Sequence, residues 1–451
     1  MATLSTAADG ASREMAKFLC PELGISCYGV LVRTKFGAKF KGIADGLNVE
    51  NQRAFTRLGE LRGSASQSGP VWVSQLIFRN AEIIVDGTRP SSVEIDAGVV
   101  ISGEFDPRER LVNSVSASLP LSHWLIEDRF VRSTVEHESN AIVSKAPIRN
   151  EPIVLAIADG AEVRLEYPST IGRNVSYRER LLVHFSEPVS SDRADAILDA
   201  TLLLISVITQ VECRPASRDY VAETGGRVER ATRRTRESNS QLRQFSDWLA
   251  WPGRIANLLG RMLPSWICSV REQQVCTMVK QFVSTIDEKG FVENTFLSYC
   301  QSFEGLNRHR TGDDRASAEI DERLTESLLE KAKELGMNSK LRRRLQKAIR
   351  DASSRTLEDR LARVFDPQPQ CVVDKLVSRP NLFAEVAARR NQLSHGSAEG
   401  IVQDAEDFAR LKVESVVVRV LCLAEVLKLG GLPDEDVKQL LGVDSRMKHC
   451  R

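Results

Sequence analysis

The first half of the chain is built from short β-branched and aromatic runs. Val71–Phe78 (VWVSQLIF), Ala81–Val85 and Ser92–Ile95 follow one another, separated by the turn signals Asp86-Gly87 and Arg89-Pro90. Further strands are predicted at Ile153–Ala158, Val163–Tyr167 and Leu181–Phe185. Many short strands at this spacing predict an antiparallel sandwich or a barrel. The apolar run from Ala194 to Val211 predicts a buried helix packed on that β unit. From about Met278 onward the period lengthens to that of a helix: Phe296, Cys300, Phe303 and Asn307 share one face, as do Leu341, Leu345, Ala348 and Ala352. After a break at Ser353-Ser354 the series resumes with Leu357, Leu361 and Val364. Pro380 stands near the start of another helix, where its missing N–H is harmless. Ala405, Phe408, Val416, Leu423 and Leu427 mark a long helix closed by Gly430-Gly431, and a short one begins at Pro433-Asp434-Glu435. The expected fold class is α+β, a β-rich N-terminal domain followed by an up-and-down helical bundle.

Between the halves lies an Arg-rich stretch, Arg214, Arg218, Arg227, Arg230, Arg233, Arg234 and Arg236, with Gly225-Gly226 inside it, which reads as a polar linker. Trp248, Trp251 and Trp266, near Pro252 and Pro264, are expected to pack a junction. The predicted domains are 1–212 (β-rich, regulatory), 213–277 (linker and junction) and 278–451 (helical bundle).

Charge narrows the function classes. Lys and Arg number 62 against 61 Asp and Glu, a net charge of +1. That balance argues against a general nucleic-acid coat and permits local basic patches. The 9 cysteines are scattered without a CxxC pair, as in a reducing compartment, and no zinc site is readable; no cofactor is expected. The start, Met1-Ala2-Thr3-Leu4-Ser5, lacks the pattern of a secretory signal, and the most apolar run, Ala196–Thr209, contains Asp199 and is too short to span a bilayer. A cytoplasmic protein with no membrane partner is expected.

The candidate chemistry sits in Ala387-Ala388-Arg389-Arg390-Asn391-Gln392-Leu393-Ser394-His395-Gly396. Phe383, Val386, Arg390 and Leu393 step at i, i+3, i+7, i+10, which places Arg390 on the apolar stripe and predicts that Arg389 points away. Arg-x4-His by itself is unspecific, and a second copy, Arg132 to His137, falls in strand-like sequence without the Asn. A helix ending in a polar cap, with His395 and Gly396 closing it, is the structural alternative.

Taken together, these residues resemble the HEPN ribonuclease superfamily, and the longer order resembles its ApeA-like anti-phage branch. That order runs from Phe303-Glu304-Gly305-Leu306, through a basic helical hairpin around Leu341–Phe365 and Arg390-Asn391…His395-Gly396, to a long helix ending in Leu429-Gly430-Gly431-Leu432-Pro433. The N-terminal region is similar to that branch's own N-terminal domain. The resemblance implies a metal-independent endoribonuclease working as a homodimer, with Arg390 and His395 as the paired motif residues, Asn391 as the polar residue after the Arg, and Glu304 as a supporting acid. The register Arg389-x5-His395 also fits the family's variable spacing. The implied partners are RNA, tRNA among the possible classes, and a phage-derived trigger at the N-terminal domain. A non-catalytic HEPN module binding a nucleotide or a protein is the alternative.

The residue types suit that chemistry. Attack by a ribose 2′-OH needs a base, stabilisation of the charged phosphorane and an acid for the leaving 5′-oxygen. An imidazole exchanges protons near neutral pH, and a guanidinium fork matches non-bridging phosphate oxygens. For the RNA backbone the candidates are Arg342, Arg343, Arg344 and Lys347, on a helix whose basic series continues to Arg350, Arg355, Arg360 and Arg363. Asp351, Glu358 and Asp359 interrupt it, as they would on a solvated helix face.

Overall fold

The structure, a computed structural model, describes residues 12–34, 37–83, 91–119, 132–136, 141–145, 152–166, 169–170, 176–177, 180–215, 217–232, 252–286, 291–311, 318–353, 356–396 and 401–442. The chain divides into two compact units, Met1–Leu202 with Cys213–Leu242 and Pro252–Gly260, and Leu203–Glu212 with Arg243–Trp251 and Arg261–Arg451.

The first unit is an antiparallel β structure. Its first strands are β1 (Ser12–Cys20), β2 (Ile25–Thr34), β3 (Gly37–Asp45), β4 (Glu60–Ala65), β5 (Gly69–Glu82), β6 (Ser91–Gly103) and β7 (Val112–Ser118), with a single helical turn, α1 (Gln52–Phe55), before β4. They are followed by β8 (Arg132–Glu136), β9 (Ala141–Lys145), β10 (Ile153–Ala158), β11 (Ala161–Glu166), β12 (Ser169–Thr170), β13 (Ser176–Tyr177) and β14 (Arg180–Val189). Helix α2 (Ser191–Thr209) then leads to β15 (Ser217–Ala222) and β16 (Arg227–Thr232). The strand order is β10-β11-β14-β7-β15-β16-β6-β3-β2-β1-β4-β5, and β5 pairs back onto β6. That last pairing closes β6-β3-β2-β1-β4-β5 into a six-stranded barrel, so the expected sandwich-or-barrel resolves to a barrel with a sheet extending from it. Strands β8 with β9, and β12 with β13, pair separately.

Strand β6 belongs to both parts. Its residues Ser91–Ala97 pair with β3, and Val99–Gly103 pair with β16. Between them lies Gly98, where a Cβ would stand 2.5 Å from the side-chain oxygen of Gln75, a residue with φ of +54°. A second close approach lies in the barrel wall. Gly29 and Gly42 face each other across β2 and β3, and a Cβ on either would come within 2.3 Å of the opposite backbone. Inside, Phe18, Cys27, Leu31, Phe40, Phe55, Val71, Val93 and Ile95 fill the barrel, with the Phe18 and Phe40 rings edge to face at 5.1 Å. Two inward positions are charged, Glu14 on β1 and Arg33 on β2. Glu14 is 4% exposed and accepts from Arg33 at 2.7 Å, from the Ser68 hydroxyl at 2.7 Å and from the backbone N–H groups of Ser68 and Gln67. Arg33 also donates to Ser102 Oγ at 2.8 Å.

The Arg-rich stretch differs from the expected linker. Residues 217–232 form β15 and β16, because Tyr220, Ala222 and Val228 alternate inward between the arginines. Arg218 pairs with Asp195 at 2.7 Å and Asp199 at 2.6 Å, one turn apart on α2, while Arg230 and the Tyr220 hydroxyl also reach Asp195. Burial works against the charge of Arg218, and Asp199 and Asp195 more than offset it. Arg233, Arg234, Arg236, Trp248 and Trp251 lie outside the described residues; Trp266 is wholly buried. The run Ala194–Val211 does form the expected buried helix, α2, whose Thr201 and Thr209 hydroxyls bond back to the preceding turn.

The second unit is helical. Its elements are α3 (Pro252–Val270), which begins in the first unit and carries Pro264 internally, α4 (Gln273–Ser284), α5 (Val292–Thr311), α6 (Ala318–Glu334), α7 (Ser339–Ser353), α8 (Leu357–Ala362), α9 (Gln370–Ser378), α10 (Leu382–Ser394), α11 (Ala405–Leu429) and α12 (Asp434–Gly442). The starts and stops are local. Thr356 and Asp359 make a capping box for α8, Asp404 caps α11 by accepting from the Asp407 N–H, and α11 ends at Gly430 with Gly431 in the left-handed region. Helix α11 is the spine, its residues from Val417 to Leu427 nearly all buried, and α5 packs along it. Gly305 lets α4 approach α5, since a Cβ there would meet Met278 at 2.8 Å. No helix among the described residues is long and apolar enough to cross a membrane.

Candidate functional site

Helix α10 carries the Arg-Asn…His sequence, starting just after Pro380 and ending at His395, with Gly396 at φ +68° turning the chain away. Leu382, Phe383 and Val386 are buried and seat it on α5 and α8. The two adjacent arginines take different partners. Arg390 donates from Nη2 to Glu304 on α5 at 2.6 Å and from Nη1 to the Asn391 side-chain oxygen at 3.1 Å. Its Nε is buried without a partner, so the guanidinium is held by its two terminal nitrogens with the side chain 28% exposed.

Arg389 does not point away from the protein, as the apolar stripe predicted; at 13% exposure it is the more buried of the two. It pairs with Asp407 at 2.5 Å and with Glu414 at 2.9 Å, both on α11. The reason is reach: the long side chain of Arg389 extends to Asp407 and Glu414 on α11, while that of Arg390 extends to Glu304 on α5, so neighbouring positions both find carboxylates. Burial opposes the Arg389 charge, and Asp407 and Glu414 raise its hold on the proton; in return Arg389 keeps the Asp407 carboxyl below its ordinary range. Glu414, 1% exposed, also accepts from Arg379 at 2.9 Å. One buried carboxylate thereby ties Arg379, which ends α9, and the residue beside Arg390 to the spine helix.

Glu414 and Asp407 were not singled out from the sequence, although a signal exists. Leu411, Glu414, Val418, Leu421 and Glu425 share one face of α11, and an acid on such a stripe has to be paired when buried. Glu425, wholly buried, meets that requirement too, accepting from Arg310 at 2.6 Å and from Asn307 at 2.9 Å, while Asn307 accepts from the buried Arg360. Arg360, expected as part of a basic face, is therefore a core residue.

His395 is exposed at the C-terminal end of α10, about 7.5 Å along the helix axis from Arg390 at the usual rise. Its backbone N–H bonds the Asn391 carbonyl at 3.1 Å, so Asn391 and His395 stand one turn apart on the same face. Asn391 touches Arg390 on one side and precedes His395 by a turn on the other. The structure thus brings Glu304, Arg390 and Asn391 into contact and leaves the imidazole of His395 open at the helix end.

The basic candidates occupy a separate hairpin. Helix α7 packs on α6, with Arg343 and Arg344 exposed beside Lys340 and Ser339 around a shallow depression, and Arg342 half-buried. Lys340, Arg343, Arg344 and Lys347 follow i, i+3, i+4, i+7 spacing. The side chains of Lys347 and Arg350, Arg355 as a whole, and His137 of the second Arg-x4-His copy lie outside the described residues.

Residues 297–432 match the family described as Apea-like HEPN, a span running from α5 to the turn after α11 and including Glu304, Arg390, Asn391 and His395. No curated protein and no solved structure matches the chain.

Proposed function

Given an Apea-like HEPN domain in the C-terminal helical region, we propose that this protein is a metal-independent endoribonuclease whose site is Arg390, Asn391 and His395. The observation that carries this is the contrast at one helix end. Arg390 is aimed by Glu304 and Asn391, and beyond it the exposed His395 imidazole has no side-chain partner among the described residues. A phosphodiester meeting this end would place a non-bridging oxygen against the guanidinium. His395 takes the 2′-OH proton; the 2′-oxygen attacks phosphorus while Arg390 stabilises the charge that builds there. The 5′-oxygen leaves with a proton supplied by a second acid. The products are a 2′,3′-cyclic phosphate and a 5′-hydroxyl. In a homodimer the two exposed helix ends supply two imidazoles, one as base and one as acid. Asn391 orients the ribose or the imidazole, and Glu304 positions Arg390.

The RNA backbone is expected to run toward α7, where Arg342, Arg343, Arg344 and Lys347 supply phosphate contacts. The biological role that fits the Apea-like match is anti-phage defence in the cytoplasm, with RNA, tRNA included, as target and the N-terminal β domain answering a phage-derived trigger.

Incubating the purified protein with end-labelled RNA in EDTA tests the activity. Cleavage leaving a cyclic phosphate, lost by on the order of 1,000-fold in His395→Ala with an unchanged melting temperature, is the expected result. Full activity in that variant would overturn the assignment, and tight nucleotide binding without cleavage would identify a binding module instead.

A further inference from the structure

The outer wall of the barrel carries a surface that the ribonuclease chemistry does not use. Strand register sets Met15 opposite Val30 and Tyr28 opposite Ile43, with Leu19 next along β1. Because side chains alternate, these residues point outward while Phe18, Cys27, Leu31 and Phe40 point in. Met15 at 56%, Leu19 at 43%, Tyr28 at 39%, Val30 at 37% and Ile43 at 43% are all large, apolar and exposed, and they are contiguous across three strands. A contiguous apolar patch of this kind on a sheet face marks an interaction site.

Cations are interleaved with it in the same outward lattice. Lys17 stands opposite Tyr28 with its ammonium 5.0 Å from the ring centre, Lys41 opposite Val30, and Arg13 opposite Val32. Toward β6 the charges are already matched, Lys39 with Glu94 at 3.4 Å and Arg79 with Asp96 at 2.8 Å. Arg13 and Lys17 make no ion pair among the described residues, whereas Lys41 stands opposite Glu94 on β6 and the exposed Asp45 follows Ile43 on β3. The patch is therefore apolar at its centre, with unmatched cations on its β1 side and Asp45 and Glu94 on its β3–β6 side.

Two features select the occupant. The centre has one aromatic ring among aliphatic side chains, whereas a nucleic-acid platform stacks bases on several aromatics. The barrel is closed, so β1, β2 and β3 have no free edge on which an incoming strand could pair. A partner has to lay a side-chain face on the pleat. We propose that the β1–β2–β3 face docks a partner protein through an amphipathic helix whose apolar stripe is flanked by Asp or Glu.

The test uses the full chain and reads binding alone, so it is independent of RNA cleavage. The probes are two synthetic helical peptides sharing one Leu-rich stripe, flanked by Glu in one and Lys in the other, and an uncleavable 2′-O-methyl oligouridylate. The Glu peptide is expected to bind with affinity about 10-fold or more above the Lys peptide, since like charges across an interface are strongly disfavoured. Met15→Asp with Val30→Asp is expected to abolish binding, and Lys17→Glu with Lys41→Glu to reverse the preference, a gain that misfolding could not produce. Equal binding of the two peptides, binding of neither, or competition by the oligouridylate that Lys17→Glu/Lys41→Glu removes would each overturn the proposal.

Discussion

The barrel and the helical unit each bury an arginine against a carboxylate, and they do so to different ends. In the barrel, Arg33 is matched by Glu14, Ser68 and Ser102, all from strands or turns of one closed wall. Every partner is part of the scaffold. In the helical unit, Arg390 has a single carboxylate, Glu304, and a neighbouring amide, and beyond it the helix stops at an open histidine. Beside it Arg389 has the fuller treatment, two carboxylates on the spine helix. Arg389 commits all three of its nitrogens to carboxylates, whereas Arg33 and Arg390 each keep a buried Nε without a partner; under the proposed function it is Arg390, at the helix end, that meets the ligand.

That difference can be broken by substitution. Arg390→Ala is expected to lower RNA cleavage by about 1,000-fold, the scale for losing a charge-stabilising donor, with a smaller loss of stability than Arg389→Ala, because it leaves one carboxylate, Glu304, unpaired rather than depriving two. Arg389→Ala should show the opposite balance, a loss of about 3 kcal/mol of stability because Glu414 and Asp407 lose a buried partner. Denaturant melts and single-turnover assays on both variants separate the two roles; equal activity losses at equal stability would merge them.

Glu14→Gln sharpens the barrel side. Burial would raise the Glu14 carboxyl, but the Ser68 hydroxyl, Arg33 and two backbone N–H groups hold it below the usual carboxylate range. A depressed folded value means that this stabilisation is complete above the unfolded carboxyl range, near ~4.3, and is lost as pH falls through the folded value. The substitution is expected to cost about 3 kcal/mol at neutral pH and to flatten the acid limb of the barrel's stability profile, followed by urea melts from neutral to acidic pH.

The smallest effect belongs to the basic hairpin. Replacing Arg342, Arg343 and Arg344 by Gln should leave the cleavage step intact and weaken RNA binding at low salt. The log–log salt slope is expected to fall by about 0.7 for each phosphate that is no longer neutralised; an unchanged slope would return α7 to the status of a solvated face.

Much of the fold was legible because it is written locally. The helices through Phe303, Leu361 and Leu423 and the Gly430-Gly431 stop follow from periodicity and capping and appear where they were expected, although Leu341 and Phe408 of the predicted apolar series are exposed. The strands at Val71, Ile153 and Leu181 are likewise in place. Strands β15 and β16 were hidden because their arginines are neutralised by Asp195 and Asp199, residues close in space but not in the strand's own sequence.

For the site, the amino-acid sequence by itself determined that Arg390, Asn391 and His395 share one helix end, since a helix places residues by their spacing alone. It also determined that Gly396 would end that helix. Only the tertiary structure decided which carboxylate each arginine meets, Glu304 for Arg390 and Asp407 with Glu414 for Arg389. Helical phase fixes a direction around one axis, whereas burial depends on how many neighbours surround that axis. With a carboxylate of α5 in reach of Arg390 and two of α11 in reach of Arg389, the polar side that looked free became a second paired one.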